Sequence, residues 1–281
     1  MPVRIEKELK HDTFGCVELV RVDGASGRPA ARLVRRVVTA RIGLGWAAGL
    51  LARREARALR RLRERGVRGV AAALDLDEAL LREACSLETA RGARPDPRRV
   101  HLRPFAEGEP LHRAESLPLD FFDLLERRVA ELHAAGVCHN DLHKEQNVVV
   151  GIDGAPILID FQLATLHSRR RGRWFEARCR DDLRHVQKHR RRYTRDGRGP
   201  AELRVEDSAR MRRRGVALVW MRTVKQLYRF ITRRILRTRD GEEGRASSGP
   251  WPRWTAPVGE GSVEAAQESS EQPTSGVQAE D

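Results

Sequence analysis

A chain of 281 residues with 40% apolar content can bury one good-sized core or two modest ones. Its formal charge of +14 comes from 54 basic residues, nearly all of them Arg, a skew of the kind that genomic base composition produces. With no nucleic-acid recognition motif and only seven Phe and two Tyr, charge alone does not make it a nucleic-acid binder.

The N-terminus MPVRIEKELK has no apolar core of the kind a signal peptide carries, and no apolar run approaches the ~20 residues of a membrane-spanning helix. Cys16, Cys85, Cys138 and Cys179 lie far apart without a CxxC pair. The expectation is a cytoplasmic protein in a reducing compartment, without structural zinc.

In chain order, residues 3 to 38 read as three strands: "VRIEKELK", a break at "HDTFG", "CVELVRV", a Gly-rich turn, then "AARLVRRVV". From Leu44 to about Glu64, apolar residues recur at helical spacing against an arginine-rich face, predicting an amphipathic helix. "AAALDLD" and "RRVHLRPF" are shorter strand candidates separated by a polar, Pro-containing loop. "EGEPL" is turn-like, and "LDFFDLLERRVAELHAA" predicts a helix from Leu119 to Ala135, with Gly136 just past its end. A basic stretch runs to about Gly199, and a helical region is expected from about Val205 to Arg239. From Asp240 onward the chain is acidic and rich in Gly, Ser, Pro, Gln and Glu, which predicts disorder, Trp251 and Trp254 being the exceptions. No internal repeat is present. The fold class is therefore α+β: an antiparallel sheet with one long helix, then a mainly helical part, with a cleft between the two.

The chemistry concentrates in "HNDLHKEQNVVVGIDGAPILIDFQ". Asp141 and Asn147 sit in an irregular loop, and the following apolar strands are joined by Asp153-Gly154, a hairpin turn. That hairpin brings Asp160 back beside Asn147. Two carboxylates and an amide oxygen suit Mg²⁺, which takes the rest of its shell from water and phosphate. A carboxylate not on the metal is free to accept a proton from an attacking hydroxyl, the layout of phosphoryl transfer.

These residues carry a resemblance. His139-Asn140-Asp141-Leu142 through Asn147, followed by Asp160-Phe161-Gln162, resembles the HxDLxxxxN and DFG elements of the protein-kinase-like superfamily, in particular its small prokaryotic RIO-like and Kdo-kinase-like members. The resemblance spans about residues 3 to 235. It implies a two-lobed kinase-like fold, with residues 1–105 as the N-lobe on the nucleotide-phosphate side, 106–239 as the C-lobe with the catalytic loop, and 240–281 as the acidic tail. It further implies ATP and Mg²⁺ as cofactors, Asp141 as catalytic base or hydroxyl-orienting group, Asn147 and Asp160 as metal ligands, His139 as a brace for the loop, and Lys144 as a cation toward the transferred phosphate.

In the N-lobe, Thr13, Phe14 and Gly15 would cover the phosphates, although "HDTFGC" has one glycine where the GxGxxG pattern has three. Aligning Val34-Arg35-Arg36-Val37 on the strand that carries the family's lysine puts Arg35 in its place, with Arg36 as fallback; the family's ammonium is thus replaced by a guanidinium. Glu55, the only acidic residue between Asp23 and Glu64, is its expected helix partner. In "RPFAEGEPL" the backbone of Phe105, Ala106 and Glu107 would bind adenine, and Gly108 would turn the chain into the next lobe.

The basic stretch, with no Ala-Pro-Glu anchor, favours an anionic acceptor: an acidic protein or a phosphorylated sugar-lipid. The basic last helix, "VKQLYRFITRRILR", is a candidate for peripheral contact at the inner face of a membrane. The function this implies is an ATP-dependent phosphotransferase, serine/threonine protein kinase-like. Alternatives left open are a lipopolysaccharide-core sugar kinase of Kdo or heptose type and a pseudokinase that binds or scaffolds.

Overall fold

The structure is a computed structural model; it describes residues 3–12, 15–23, 30–38, 44–70, 78–168, 172–195, 198–200, 203 and 251–258. The protein is α+β. Four antiparallel strands, β1 (Val3–Asp12), β2 (Gly15–Val22), β3 (Ala31–Val38) and β4 (Val100–Pro104), lie in the order β1-β2-β3-β4. The first three and β4 fall where alternation and turn residues put them.

Period-2 alternation gives the sheet two unlike faces. One carries Cys16, Val20, Val22, Leu33, Val37 and Val100, buried against Ala84 and Cys85 of helix α2 (Glu78–Ser86). Helix α1 (Leu44–Glu64) is the predicted amphipathic helix; it packs against β3 and buries Ala52, Ala58, Leu59 and Leu62. Helix α2 corrects the expectation of a polar loop between the strand candidates. At nine residues it is shorter than the window that makes helical periodicity readable, and what holds it is the sheet face it covers.

The remainder is built on helix α3 (Phe121–Ala134), within a residue or two of its predicted bounds. Gly136 ends it at φ +76, in the left-handed region, and a Cβ there would meet the His167 carbonyl at 2.7 Å, so both backbone and space require glycine. Short strands follow in pairs and threes. β5 (Gly108–Pro110), β8 (Val148–Gly151) and β9 (Pro156–Leu158) form an antiparallel sheet, and β7 (Val137–Cys138) pairs with β10 (Thr165–Leu166). The β8-β9 hairpin is the one that Asp153-Gly154 predicts; Asp153 Oδ1 accepts from the Ala155 amide at 2.9 Å and Gly154 has φ +82. The basic stretch becomes helix α4 (Arg173–Thr194), which packs on α3. One apolar core joins α1, α3, α4 and the hairpin, through Leu62, Phe121, Phe122, Leu125, Leu132, Leu142, Leu158, Phe161 and Val186.

Within the acidic tail, residues 251–258 are described. Residues 253–255 form β11 (Arg253–Thr255), parallel to β6 (Ser116–Pro118). Trp254 Nε1 donates to the Arg198 carbonyl at 2.8 Å, and Trp251 lies edge-on to Tyr193 under the Arg198 guanidinium. Two indoles among small and polar neighbours thus supply the apolar surface that the tail otherwise lacks. The strand expected in "AAALDLD" and the helix expected over residues 205–239 lie outside the described residues, as do Thr13 and Phe14. Among the described residues, no helix is long and apolar enough to cross a membrane.

Candidate active site

The loop from β7 to β8 is held by buried hydrogen bonds at both ends. Asp182 of α4, 1% exposed, accepts from the His139 amide (2.8 Å) on one carboxylate oxygen and from the Asn140 amide (2.9 Å) on the other. His139, fully buried, uses Nε2 on the Ile159 carbonyl at 2.9 Å and packs at a tilt against Phe161, ring centroids 4.6 Å apart. The expected brace between the loop and the backbone beside Asp160 is therefore present. From below, His189 Nε2 donates to the Leu142 carbonyl at 2.7 Å, and burial pushes that imidazole down toward its neutral form. Glu145 accepts from Tyr193 (2.9 Å) and pairs with Arg192 (2.8 Å).

Inside this frame three predicted residues come together. Asn147, 2% exposed, donates from Nδ2 to both the carbonyl and Oδ2 of Asp141, each at 3.0 Å. That commits the amide nitrogen and leaves Asn147 Oδ1 as the atom it can offer a cation. The hairpin's last rung is Val148 with Leu158, and the Ile159 amide bonds the Asn147 carbonyl at 3.0 Å. Asp160 is the next residue, at the same end of the hairpin. Its side chain makes no capping bond to the short helical turn Phe161–Leu163 that follows, and its buried Oδ1 has no hydrogen-bond partner. The simple capping role that Asp often takes in loops is thus not the one it plays here.

Asp141, 3% exposed, has two side-chain nitrogens beside it: Lys144 Nζ is 3.4 Å from Oδ2 and His143 Nδ1 is 2.9 Å from Oδ1. Burial alone would raise the Asp141 carboxyl; His143, Lys144 and His139 outweigh it and hold the group below its ordinary value. Asn140 and Asp160 both have positive φ, +65 and +66, which costs non-glycine residues about 1–3 kcal/mol each and persists only where the surroundings enforce it. For Asn140 the enforcement is visible: Nδ2 reaches the carbonyls of Cys138 and Leu163 and Thr165 Oγ1.

Glu55 comes to the same place from α1. Burial pushes its carboxyl up; Arg103, Arg36 and the Phe161 amide pull it back, while the charge of Asp160 adds to the rise. Its Oε1 is buried without a hydrogen bond, the nearest cation being Arg103 Nε at 3.8 Å. Two unsatisfied carboxylate oxygens from different elements, close enough for the charge of Asp160 to be felt at Glu55, fit a site for a hard divalent cation. Asn147 Oδ1 and Asp160 Oδ1 are the natural donors.

Arg35 is not part of this site, and its assignment is corrected. It points to the α2 face, 0% exposed, with every N–H used: Nε and Nη2 on Glu18 Oε2 (3.0 and 2.6 Å), Nη1 on the carbonyls of Ala84 and Leu87, Nη2 also on that of Glu88. Glu18 Oε1 in turn accepts from the Ala90 amide at 2.6 Å. Arg35 is thus a staple between sheet and α2. The face toward Glu55 belongs to the fallback, Arg36, with Arg103, two residues from its cross-strand partner His101, on the same side. Arg103, Asp182 and His143 were not singled out from the sequence.

Gly15 lies in β2 opposite Asp12. At the connector, the Phe105 amide is spent on the Arg32 carbonyl at 3.0 Å, which removes it from adenine recognition. Among the described residues, Ala106 and Glu107 make no backbone hydrogen bond, so those groups remain available. Gly108 has φ +140, and a Cβ there would collide with the Val150 carbonyl, so the turn requires glycine. Compared with models of protein families and with curated proteins, the sequence matches none of them.

Proposed function

We propose that the protein is an ATP- and Mg²⁺-dependent phosphotransferase with a two-lobed kinase-like arrangement, moving the γ-phosphoryl of ATP to a hydroxyl, most simply a protein serine or threonine. The observation that carries the reading is the buried junction of Asp141, Asn147 and Asp160. One carboxylate there is held in its ionised form by His143 and Lys144, while the other presents an unsatisfied oxygen at the end of a hairpin. A purely structural loop gains nothing from such an oxygen.

Bound Mg²⁺, held by Asn147 and Asp160, would neutralise charge on the phosphate oxygens. Asp141, ionised well below neutral pH, orients the acceptor hydroxyl and receives its proton as the bond to phosphorus forms. Lys144, beside it, places a positive charge toward the phosphoryl group in transit. Arg36 takes the role of the family's lysine, with Arg103 beside it and Glu55 restraining both. The backbone of Ala106 and Glu107 serves the adenine edge. Helix α4, with Arg180 and neighbouring arginines exposed, gives the acceptor side a basic surface suited to an acidic protein segment.

The test is phosphoryl transfer from ATP, with Mg²⁺, to an acidic protein substrate by wild type and Asp141→Asn. Transfer by the wild type, lost in the variant while magnesium-dependent nucleotide binding survives, supports the reading. Nucleotide binding without turnover on protein or sugar acceptors replaces it with a binding role.

A further inference from the structure

Behind the catalytic loop, on the side away from Asp141, three further groups converge. His133 of α3, Cys138 of β7 and Cys179 of α4 bring a ring nitrogen and two Sγ atoms within 4.8 Å of one another. The two sulfurs are 3.8 Å apart, and His133 Nε2 is 3.2 Å from Asp182 Oδ2. Cys138 is fully buried and His133 nearly so. Linear spacing gave no sign of this, because the two cysteines are 41 residues apart and meet only when α4 packs on α3 and β7.

We propose that His133, Cys138 and Cys179 bind one thiophilic divalent ion, Zn²⁺ by chemical class, with Asp182 beside His133 as its hydrogen-bond partner. The distances carry the assignment. With Zn–S near 2.3 Å, two thiolates on a tetrahedral ion stand about 3.8 Å apart. The sulfur pair already has that separation, and a His133 ring nitrogen lies within 4.8 Å of both sulfurs. A disulfide needs the sulfurs near 2.05 Å, so the same pair is well short of that bond.

Charge closes as well. Zn²⁺ enters as two thiol protons leave, so binding leaves the buried charge unchanged.

An ion here ties α3, β7 and α4 together one residue before His139. His133 also contacts Asp182, which accepts from the amides of His139 and Asn140, so the ion stiffens the loop from behind. This inference does not depend on phosphoryl transfer; the ligands are distinct from the proposed magnesium donors.

The experiment is titration of the full-length, reduced protein with Co²⁺, followed by Zn²⁺. Expected are one Co²⁺ per chain, a thiolate-to-cobalt charge-transfer band with the strong visible bands of a tetrahedral ion, displacement by Zn²⁺, and a raised melting temperature with metal. Cys179→Ser, on a half-buried position of α4, should lose the charge-transfer intensity while melting as wild type does without metal. Cys85→Ser, next to Cys16 elsewhere, should keep it. If Cys179→Ser fails to fold, loss of the spectrum in Cys138→Ser serves instead. No band at stoichiometric Co²⁺, a band that survives both substitutions, or recovery of the chain as a metal-free Cys138–Cys179 disulfide overturns the proposal.

Discussion

Replacing Arg35 by Met separates the two roles that adjacent arginines play on β3. In the folded protein Arg35 donates to one carboxylate and three carbonyls in an interior without water access. Removing it leaves Glu18, also 0% exposed, as a buried charge held only by neutral groups such as the Ala90 amide and the Cys16 thiol. Breaking a buried pair on one side costs about 3–5 kcal/mol, whereas replacing both members by apolar groups is often neutral. Urea denaturation of Arg35→Met should therefore lose about 3–5 kcal/mol, with a fall in melting temperature on the order of 10 °C. The double substitution Glu18→Leu with Arg35→Met should recover most of it. Arg36→Met, on the opposite face, should leave stability within about 0.5 kcal/mol and weaken nucleotide binding. A stable Arg35→Met protein that no longer binds nucleotide would refute the reasoning and return Arg35 to the phosphates.

Asp141→Asn should lower phosphoryl transfer about 10²–10⁴-fold with nucleotide affinity little changed, measured by initial rates and by calorimetry. Glu55 is a carboxyl whose folded-state pKa is raised, so its contribution to stability is fully present below the unfolded value of 4.5 and is lost as pH rises through the folded one. Without ligands, Glu55→Gln should accordingly melt higher than wild type, by a margin that widens from pH 4 to pH 8 as the wild-type carboxyl ionises; an unchanging margin would contradict this. Asp141 has the opposite sign: its lowered pKa stabilises the fold above the unfolded value and is lost as pH falls through the folded one, so Asp141→Asn should narrow its stability difference from wild type in acid. Trp254→Ala should cost about 2 kcal/mol in chemical denaturation, less than a fully buried aromatic, because its ring is half-buried against Phe122.

Much of this architecture was legible because the signals are local. Helical period and a terminal glycine define α1 and α3, and Asp153-Gly154 between apolar runs defines the hairpin that positions Asp160. Where reading failed, the missing information was nonlocal or one residue fine. Arg35 and Arg36 differ by a single step on β3, and a single step on a strand exchanges the two faces of the sheet. Sequence alone offered no reason to choose between them until α2 was seen to occupy one face. Asp182 lies more than 40 residues beyond the amides it accepts from, inside a run of charges that reads as a solvated helix. His133, Cys138 and Cys179 are unremarkable singly and become a cluster only through the packing of three elements. The docked segment at 251–258 is short, and its partner strand β6 has three residues; neither carries alternation long enough to read.

The central claim is that Asn147 and Asp160 share one hard divalent ion with the phosphates of a nucleotide. Mn²⁺ reports on it directly, because it prefers oxygen donors and leaves the thiol cluster aside. Electron paramagnetic resonance of Mn²⁺ titrated into the protein with a non-hydrolysable ATP analogue should give one bound ion per chain that requires the nucleotide and disappears in Asp160→Asn. Equal Mn²⁺ binding in wild type and Asp160→Asn, or no nucleotide-dependent binding in either, would contradict it.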